Sequence, residues 1–450
     1  MSFNKIANKS IQTSNDIKQA LITAIENADK SKGVVCPERN FTRNRVFNLD
    51  TMQRCILGMG GQSLNKELYA YFNKCGVVEL NQAKKSAFNQ QRDKIASELF
   101  QELFYRFNSL CHADKTYRGY RLLAVDGSDI YIAHNENSDT YMQYGTNKGY
   151  NLFHLNAIYD IENAIYTDAT IVPRPVCDER KEMLSMVMNT TFTNKSILIA
   201  DRGYAAFNVF EHLKEIGNLD FLFRVKNTWI KETADMSMEE FDRELTLELR
   251  TGQSKADKEL YRQGKAKWIT GISHHNGEPN WDFEPVRTVS YRIVRIKIND
   301  NGTDADYETI ITSLNRFEFP MEEIKSLYHK RWSEEISFRD LKYNIGLINF
   351  HSKKEEFIKQ EIWASLIMYN FCSLIAQSVI IKNDNGNKWI YKVNFSMAVY
   401  LCMDFFRHRG NAPPDIENII LQYTEPIRPD RADKRKFRPK HPIWFMYRVA

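Results

Sequence analysis

The sequence has no uninterrupted apolar stretch near the roughly 18 residues that a membrane span requires, and Met1–Asn15 is too polar for a signal peptide. It has seven cysteines (Cys36, Cys55, Cys75, Cys111, Cys177, Cys372 and Cys402), odd in number, scattered, and never spaced as CxxC. That pattern excludes a disulfide framework or a cysteine zinc site and points to reduced core thiols in a cytoplasmic protein. Internal repeats and low-complexity segments are missing, and 43% hydrophobic with 26% charged residues is the balance of an ordinary folded chain. Nor does one charge sign dominate: a net charge of +5 over 450 residues does not announce a polyanion partner. A chain of this length suggests about three domain-sized units.

Where the positive charge lies says more than its sum. Arg428–His441 is a basic tail, and Lys255, Lys258, Arg262, Lys265 and Lys267 form a second run in mid-chain. A charge run is usually a solvated face; beside a catalytic centre, both fit phosphate contacts. Residues up to about 115 read as helical. Leu49–Leu57 and Ser63–Phe72 flank the Gly60-Gly61 break, and a longer helix is expected from about Ser86, carrying Phe88, Ile95, Leu99, Leu103 and Phe107.

From Tyr120 the pattern becomes α/β. Leu122-Leu123-Ala124-Val125 and Ile197-Leu198-Ile199-Ala200 are short continuous apolar runs, as in strands buried on both faces. The first ends in Asp126-Gly127-Ser128 and the second in Asp201-Arg202-Gly203-Tyr204, so both aspartates are expected at strand ends. Strands near Asn151–Tyr159, Ala164–Val172 and Phe221–Val225 and helices near Glu179–Asn189 and Ala205–Ile216 complete this part. Trp229 to about Ser313 reads as a β-rich insertion, with Arg292, Arg295 and Lys297 projecting from a strand over Val289–Ile298. Pro320 then opens a helix that runs past Lys342, followed by helices at about Glu361–Ile381 and Ser396–Phe406.

The helix after Pro320 carries the most informative pattern. Arg331, Glu335 and Lys342 follow Tyr328 by three, seven and fourteen residues. At roughly 100° per residue the four share an arc of about 60° on one helical face. Glu334 falls off that face, so Glu335 is the better candidate for chemistry. Trp332 and Ile336 on one edge, and Leu327 and Phe338 on the other, are expected to anchor the helix in a core. Phosphodiester transfer needs an activated oxygen nucleophile, a stabilised leaving oxygen and neutralised phosphate charge, which two divalent ions about 4 Å apart supply. Mg²⁺ takes hard oxygen ligands, and Asp126, Asp201 and Glu335 provide them. Arg331 offers a fork, Lys342 a point charge and Tyr328 a hydroxyl to phosphate.

Tyr328, Arg331, Glu335 and Lys342 reproduce the Y-(2)-R-(3)-E-(6)-K signature, and the chain thereby resembles the IS-four family of bacterial insertion-sequence transposases. Asp126 in VDGS and Asp201 in ADRGY are similar to the first two acids of that family's DDE triad. The long interval between Asp201 and Glu335 resembles the family's β-strand insertion. The resemblance implies a ribonuclease H-like mixed-sheet core, residues 116–228 and 314–382, interrupted by a β-rich insertion at 229–313. A helical DNA-binding region at 1–115 and a helical, basic region at 383–450 flank it. It further implies a cut-and-paste DNA transposase using two Mg²⁺ ions, with Mn²⁺ as a substitute. The partners would be double-stranded DNA with terminal inverted repeats and target DNA, bound by a homodimer in a synaptic complex at the bacterial nucleoid. In some members an insertion-domain tryptophan stacks on a flipped base; here the nearest aromatic is Tyr307, and base stacking tolerates tyrosine.

Two other functions compete. In a tyrosine-type recombinase, Tyr328 would attack DNA covalently without metal. A domesticated, non-catalytic DNA-binding protein would have lost an acid, and all three are present. Gly145–Gly149 lacks the spacing of a phosphate loop, and Cys111-His112 and His274-His275 have no partners at metal-ligand spacing.

Overall fold

A computed structural model describes residues 13–43, 45–74, 84–143, 145, 148–229, 239–271, 280–299, 306–379, 381, 390–407, 415–427 and 446–447. The basic tail Arg428–His441 and the His274-His275 pair lie outside these. None of the described helices is long and apolar enough to cross a membrane.

The centre is one mixed sheet. Its strands are β1 (Arg121–Ile132), β2 (Tyr141–Met142), β3 (Tyr150–Asp160), β4 (Ile165–Pro173), β5 (Ser196–Ala200), β6 (Leu219–Val225), β7 (Phe241–Arg250), β8 (Lys267–Trp268), β9 (Val286–Asn299) and β10 (Asp306–Thr312). They lie in the order β2-β3-β1-β5-β6-β10-β9-β7-β8, with β4 also paired to β3. The parallel trio β1, β5 and β6 is the most apolar part: Ile197, Leu198 and Ile199 are fully buried, which fits a continuous apolar run covered on both faces. The β-rich segment expected to be an insertion is not a separate sheet. β10 pairs with β6 on one side and β9 on the other, so β7, β8 and β9 continue the central sheet.

Three expectations need correction here. First, Asp126 is not at the end of its strand. β1 runs on to Ile132 because β3 stays paired with it from Leu123↔Asp160 to Ile132↔Asn151; only the pairing with β5 stops, at Val125↔Ala200. Second, Arg292 and Arg295 do not project from β9. They are 3% and 1% exposed and bonded within the protein. Third, the helix expected from Ser86 is two helices, α5 (Lys85–Arg92) and α6 (Ser97–Leu110), because the intervening Ile95 bridges to Val34 and the Ala96 amide donates to the Gly33 carbonyl.

Helices cover both faces. The others before the sheet are α1 (Ser14–Glu26), α2 (Lys30–Gly33), α3 (Leu49–Leu57) and α4 (Leu64–Lys74). Within and after it come α7 (Glu179–Met188), α8 (Phe207–Glu215), α9 (Lys255–Arg262), α10 (Met321–Lys330), α11 (Trp332–Asp340), α12 (Glu355–Ser378), α13 (Phe395–Arg407) and α14 (Ile416–Gln422). The N-terminal helices do not stand apart, since Leu21, Phe104 and Phe107 share one core with Ile358, Ile367 and Phe371 of α12. Arg92 fastens the two groups, donating to Gln360 (2.7 Å), Glu361 (2.9 Å) and the Phe357 carbonyl (2.7 Å). α7 and α8 pack on one face of the sheet and α10 on the other, around Leu122, Ile199, Ile310 and Ile324.

Candidate active site

Asp126 and Asp201 follow the last parallel pair, Val125↔Ala200, on adjacent strands. The backbone orients both. The Gly127 amide donates to Asp126 Oδ1 (2.8 Å), and the Gly203 amide donates to Asp201 Oδ1 (2.6 Å), closing a tight turn. Arg180 at the start of α7 donates to the Gly203 carbonyl (3.0 Å) and holds that turn from outside. Tyr204, 1% exposed, follows the turn; its hydroxyl has no hydrogen-bond partner and lies within electrostatic reach of Asp126 and Asp201.

The third acid arrives from α11, which packs against β1. The expected single helix from Pro320 past Lys342 is interrupted. Around Arg331 the bonds tighten to three-residue spacing (Arg331 amide to Tyr328 carbonyl, Glu334 amide to Arg331 carbonyl), and Leu341–Ile345 forms a π turn ending at Gly346, φ +101°. The ideal 100° stepping across Tyr328–Lys342 therefore does not hold. Tyr328 is buried, within reach of Arg331 and of an Arg224–Glu308 ion pair (3.2 Å). Arg331, 7% exposed, donates from Nη2 to Glu335 Oε1 (2.8 Å), while its Nε has no hydrogen-bond partner. Lys342 sits on the π turn, its charge felt by Asp129 of β1. Tyr307 is half-buried on β10, next to Glu308, with its carbonyl bonded by Asn227 (3.2 Å). The structure thus gathers Asp126, Asp201, Arg331 and Glu335 into one electrostatic neighbourhood, while Lys342 acts on Asp129 and Tyr307 on Arg295.

Trp332 is not the core anchor expected from the sequence. Trp332 and Ile336 are 44% and 47% exposed, so only the Leu327 and Phe338 edge is held in a core. The residue that periodicity undervalued is Glu334. It is fully buried and neither carboxyl oxygen has a hydrogen-bond partner. Burial, and then the Asp126 charge, push its carboxyl well above the usual range. Periodicity put it well off the polar stripe and gave no signal of its inward position beside the tightened turn at Arg331.

Burial, with the charges of Asp201 and Glu335 adding to it, raises the Asp126 carboxyl to about 6, against the opposing Gly127 amide and Arg331. Four acids facing one guanidinium are short of positive charge, and their hard oxygens suit Mg²⁺. Among the described residues no three His, Cys, Asp or Glu side chains close into a metal cage by themselves.

Residues 117–371 match the family described as "Transposase DDE domain". The chain is 22% identical over 424 residues to the transposase InsG for insertion sequence element IS4 of Escherichia coli (strain K12), covering 89% of this chain and 88% of that protein. It also aligns with the cryo-EM structure of a piggyBac transposase synaptic complex with hairpin DNA. There the TM-score is 0.45 at 8% identity, over 94% of this chain and 84% of that one.

Proposed function

The chain belongs to the DDE transposases of the IS4 insertion-sequence family, DNA-cleaving and strand-transferring enzymes, and from that premise we propose that Asp126, Asp201 and Glu335 are its catalytic acids. The observation that carries this reading is the adjacency of Asp126 and Asp201 where β5 stops pairing with β1, with the charge of Glu335 reaching the same Asp126 carboxyl. On this reading β1, β3, β4, β5 and β6 form a ribonuclease H-like core within residues 116–228 and 314–382. Residues 229–313 are its insertion, and 1–115 and 383–450 are the flanking regions that hold DNA.

The three acids would hold two Mg²⁺ ions, or Mn²⁺ in their place. When bound, such ions supply an activated oxygen nucleophile and stabilise the leaving oxygen. The protein's own groups do the rest. The Gly127 and Gly203 amides fix the two aspartates before DNA arrives, so little reorganisation remains for the chemical step. Arg331 holds Glu335 in the DNA-free protein, and a phosphate entering the cleft competes for the same guanidinium with bidentate geometry. Lys342 lines the approach of the strand, Tyr328 backs the Arg331 guanidinium from the interior rather than meeting phosphate itself, and Tyr307 offers a ring for an unstacked base. The reaction is cut-and-paste: cleavage at inverted-repeat ends, then attack of the freed 3′-hydroxyl on target DNA, by a homodimer holding both ends. Burial of Tyr328 argues against its use as a covalent nucleophile.

The test is cleavage and joining of duplexes carrying the element's inverted repeats, with Mg²⁺, Mn²⁺ or chelator. Asp126→Ala, Asp201→Ala and Glu335→Ala should each lose at least the 10²–10³-fold, roughly, that one removed transition-state contact costs, with end binding retained. Wild-type cleavage in any of the three, or in chelator, defeats the assignment.

A further inference from the structure

Behind β1, on the side facing α7, a buried histidine occupies the space where a side chain of residue 127 would stand. His154 of β3 is 3% exposed and lies opposite Asp129 of β1. Its Nδ1 is 2.6 Å from Asp129 Oδ1, and its Nε2 is 3.5 Å from Glu179 Oε1 at the start of α7. Arg174, in a single 3-10 turn at Arg174–Val176, bridges the same two acids, 3.1 Å from Asp129 and 3.3 Å from Glu179. The ring is therefore fixed at Nδ1 by Asp129, while its Nε2 end faces Glu179. Its Nε2 makes no hydrogen bond, and that edge is pressed onto Gly127: a Cβ at residue 127 would stand 2.2 Å from it.

Gly127 is the residue whose amide orients Asp126 (2.8 Å). It is also where β1 has just lost its β5 neighbour, so its peptide is braced by β3 alone. Glycine is the residue least able to hold its own backbone conformation. A rigid ring packed on it restricts the peptide, and through that peptide the Asp126 carboxylate. We infer that His154 is a positioning residue for Asp126, clamped by Asp129, Arg174 and Glu179, and that Gly127 is required because the imidazole takes its side-chain space. The inference rests on the reading of Asp126 as a cation ligand. Groups that orient ligands from behind typically contribute 10–100-fold in metal affinity, roughly.

The experiment titrates the full chain, free of DNA, with Mn²⁺ and follows the paramagnetic resonance of the unbound ion. Asp126→Ala should lose most of the affinity; if it binds as wild type does, the ligand reading fails and this inference falls with it. If Asp126→Ala loses affinity, His154→Asn becomes decisive. It keeps a donor toward Asp129 but withdraws the ring edge from Gly127. We expect about tenfold weaker Mn²⁺ binding and a lower kcat on end DNA at unchanged KM. A folded His154→Asn with wild-type Mn²⁺ affinity overturns the inference while leaving the ligand reading intact. Should that variant not fold, the pair Gly127→Ala and Gly127→Ala/His154→Ala decides. The added methyl should weaken Mn²⁺ binding beside the intact ring, and removing the ring should restore part of it. Independent, additive effects would overturn the inference.

Discussion

The central sheet buries charge in both of its halves and treats it in opposite ways. On β9, Arg292 donates to Asp242 through Nε and Nη2 (2.9 and 2.8 Å) and to the Leu314 and Phe319 carbonyls through Nη1 (3.1 and 2.8 Å). Burial alone would raise the Asp242 carboxyl, yet the Arg292 guanidinium holds it below the usual range. Where β1 and β5 part, Asp126 is half-buried and Glu334 fully buried among other acids, and the Glu334 carboxyl is bonded to nothing. A buried charge is tolerable only when paired and hydrogen-bonded. The β9 half meets that condition internally and is architecture. The β1–β5 half does not, and unanswered acids of this kind collect where a protein does chemistry.

This contrast can be broken by substitution. Arg292→Met should destabilise the protein by about 3–5 kcal/mol, since it strands Asp242 and two carbonyls. A denaturant titration reads the loss, and activity per folded molecule should stay near wild type. A neutral effect on stability would remove the distinction between the halves.

The opposite half should respond to pH and metal. With Asp126 raised to about 6 from 3.8, the folded state favours its neutral form. Its contribution is full below pH about 4 and is lost as pH rises through about 6, an effect of about 3 kcal/mol by linkage. In chelator, stability should therefore fall over that window, Asp126→Asn should flatten the fall, and Mg²⁺ or Mn²⁺ should restore stability to wild type only. A flat wild-type profile without metal would contradict the raised Asp126 carboxyl. The smallest effect is the most diagnostic in sign. Glu334→Leu should stabilise the metal-free protein by about 1–3 kcal/mol, because it removes an unpartnered buried polar group. Destabilisation would mean that Glu334 has a partner that the geometry does not reveal.

The sequence made the proposed site's members legible because their signals are local. Asp126 and Asp201 end apolar runs that only a buried parallel strand explains, and Tyr328, Arg331, Glu335 and Lys342 recur near a helical period. It misjudged their surroundings. Arg292 and Arg295 point to opposite faces of β9, and in a lone insertion one of those faces would be solvent; instead the Leu314 and Phe319 carbonyls meet Arg292, and Thr309 and the Asn227 carbonyl meet Arg295. Trp332 looked like a core residue by its size, but the kink at Arg331 turns it toward solvent and Glu334 inward. His154 gave no signal, since its meaning lies in a glycine on the neighbouring strand.

The order of elements, the acids and the basic groups near them were determined by the sequence alone, because each depends on residues a few positions apart. Which charges are answered and which are left facing one another was decided by the tertiary structure. That outcome depends on which strand stops pairing, where a helix kinks, and what a distant segment covers, and electrostatic energy in a buried site is set by such neighbours rather than by the chain's own order.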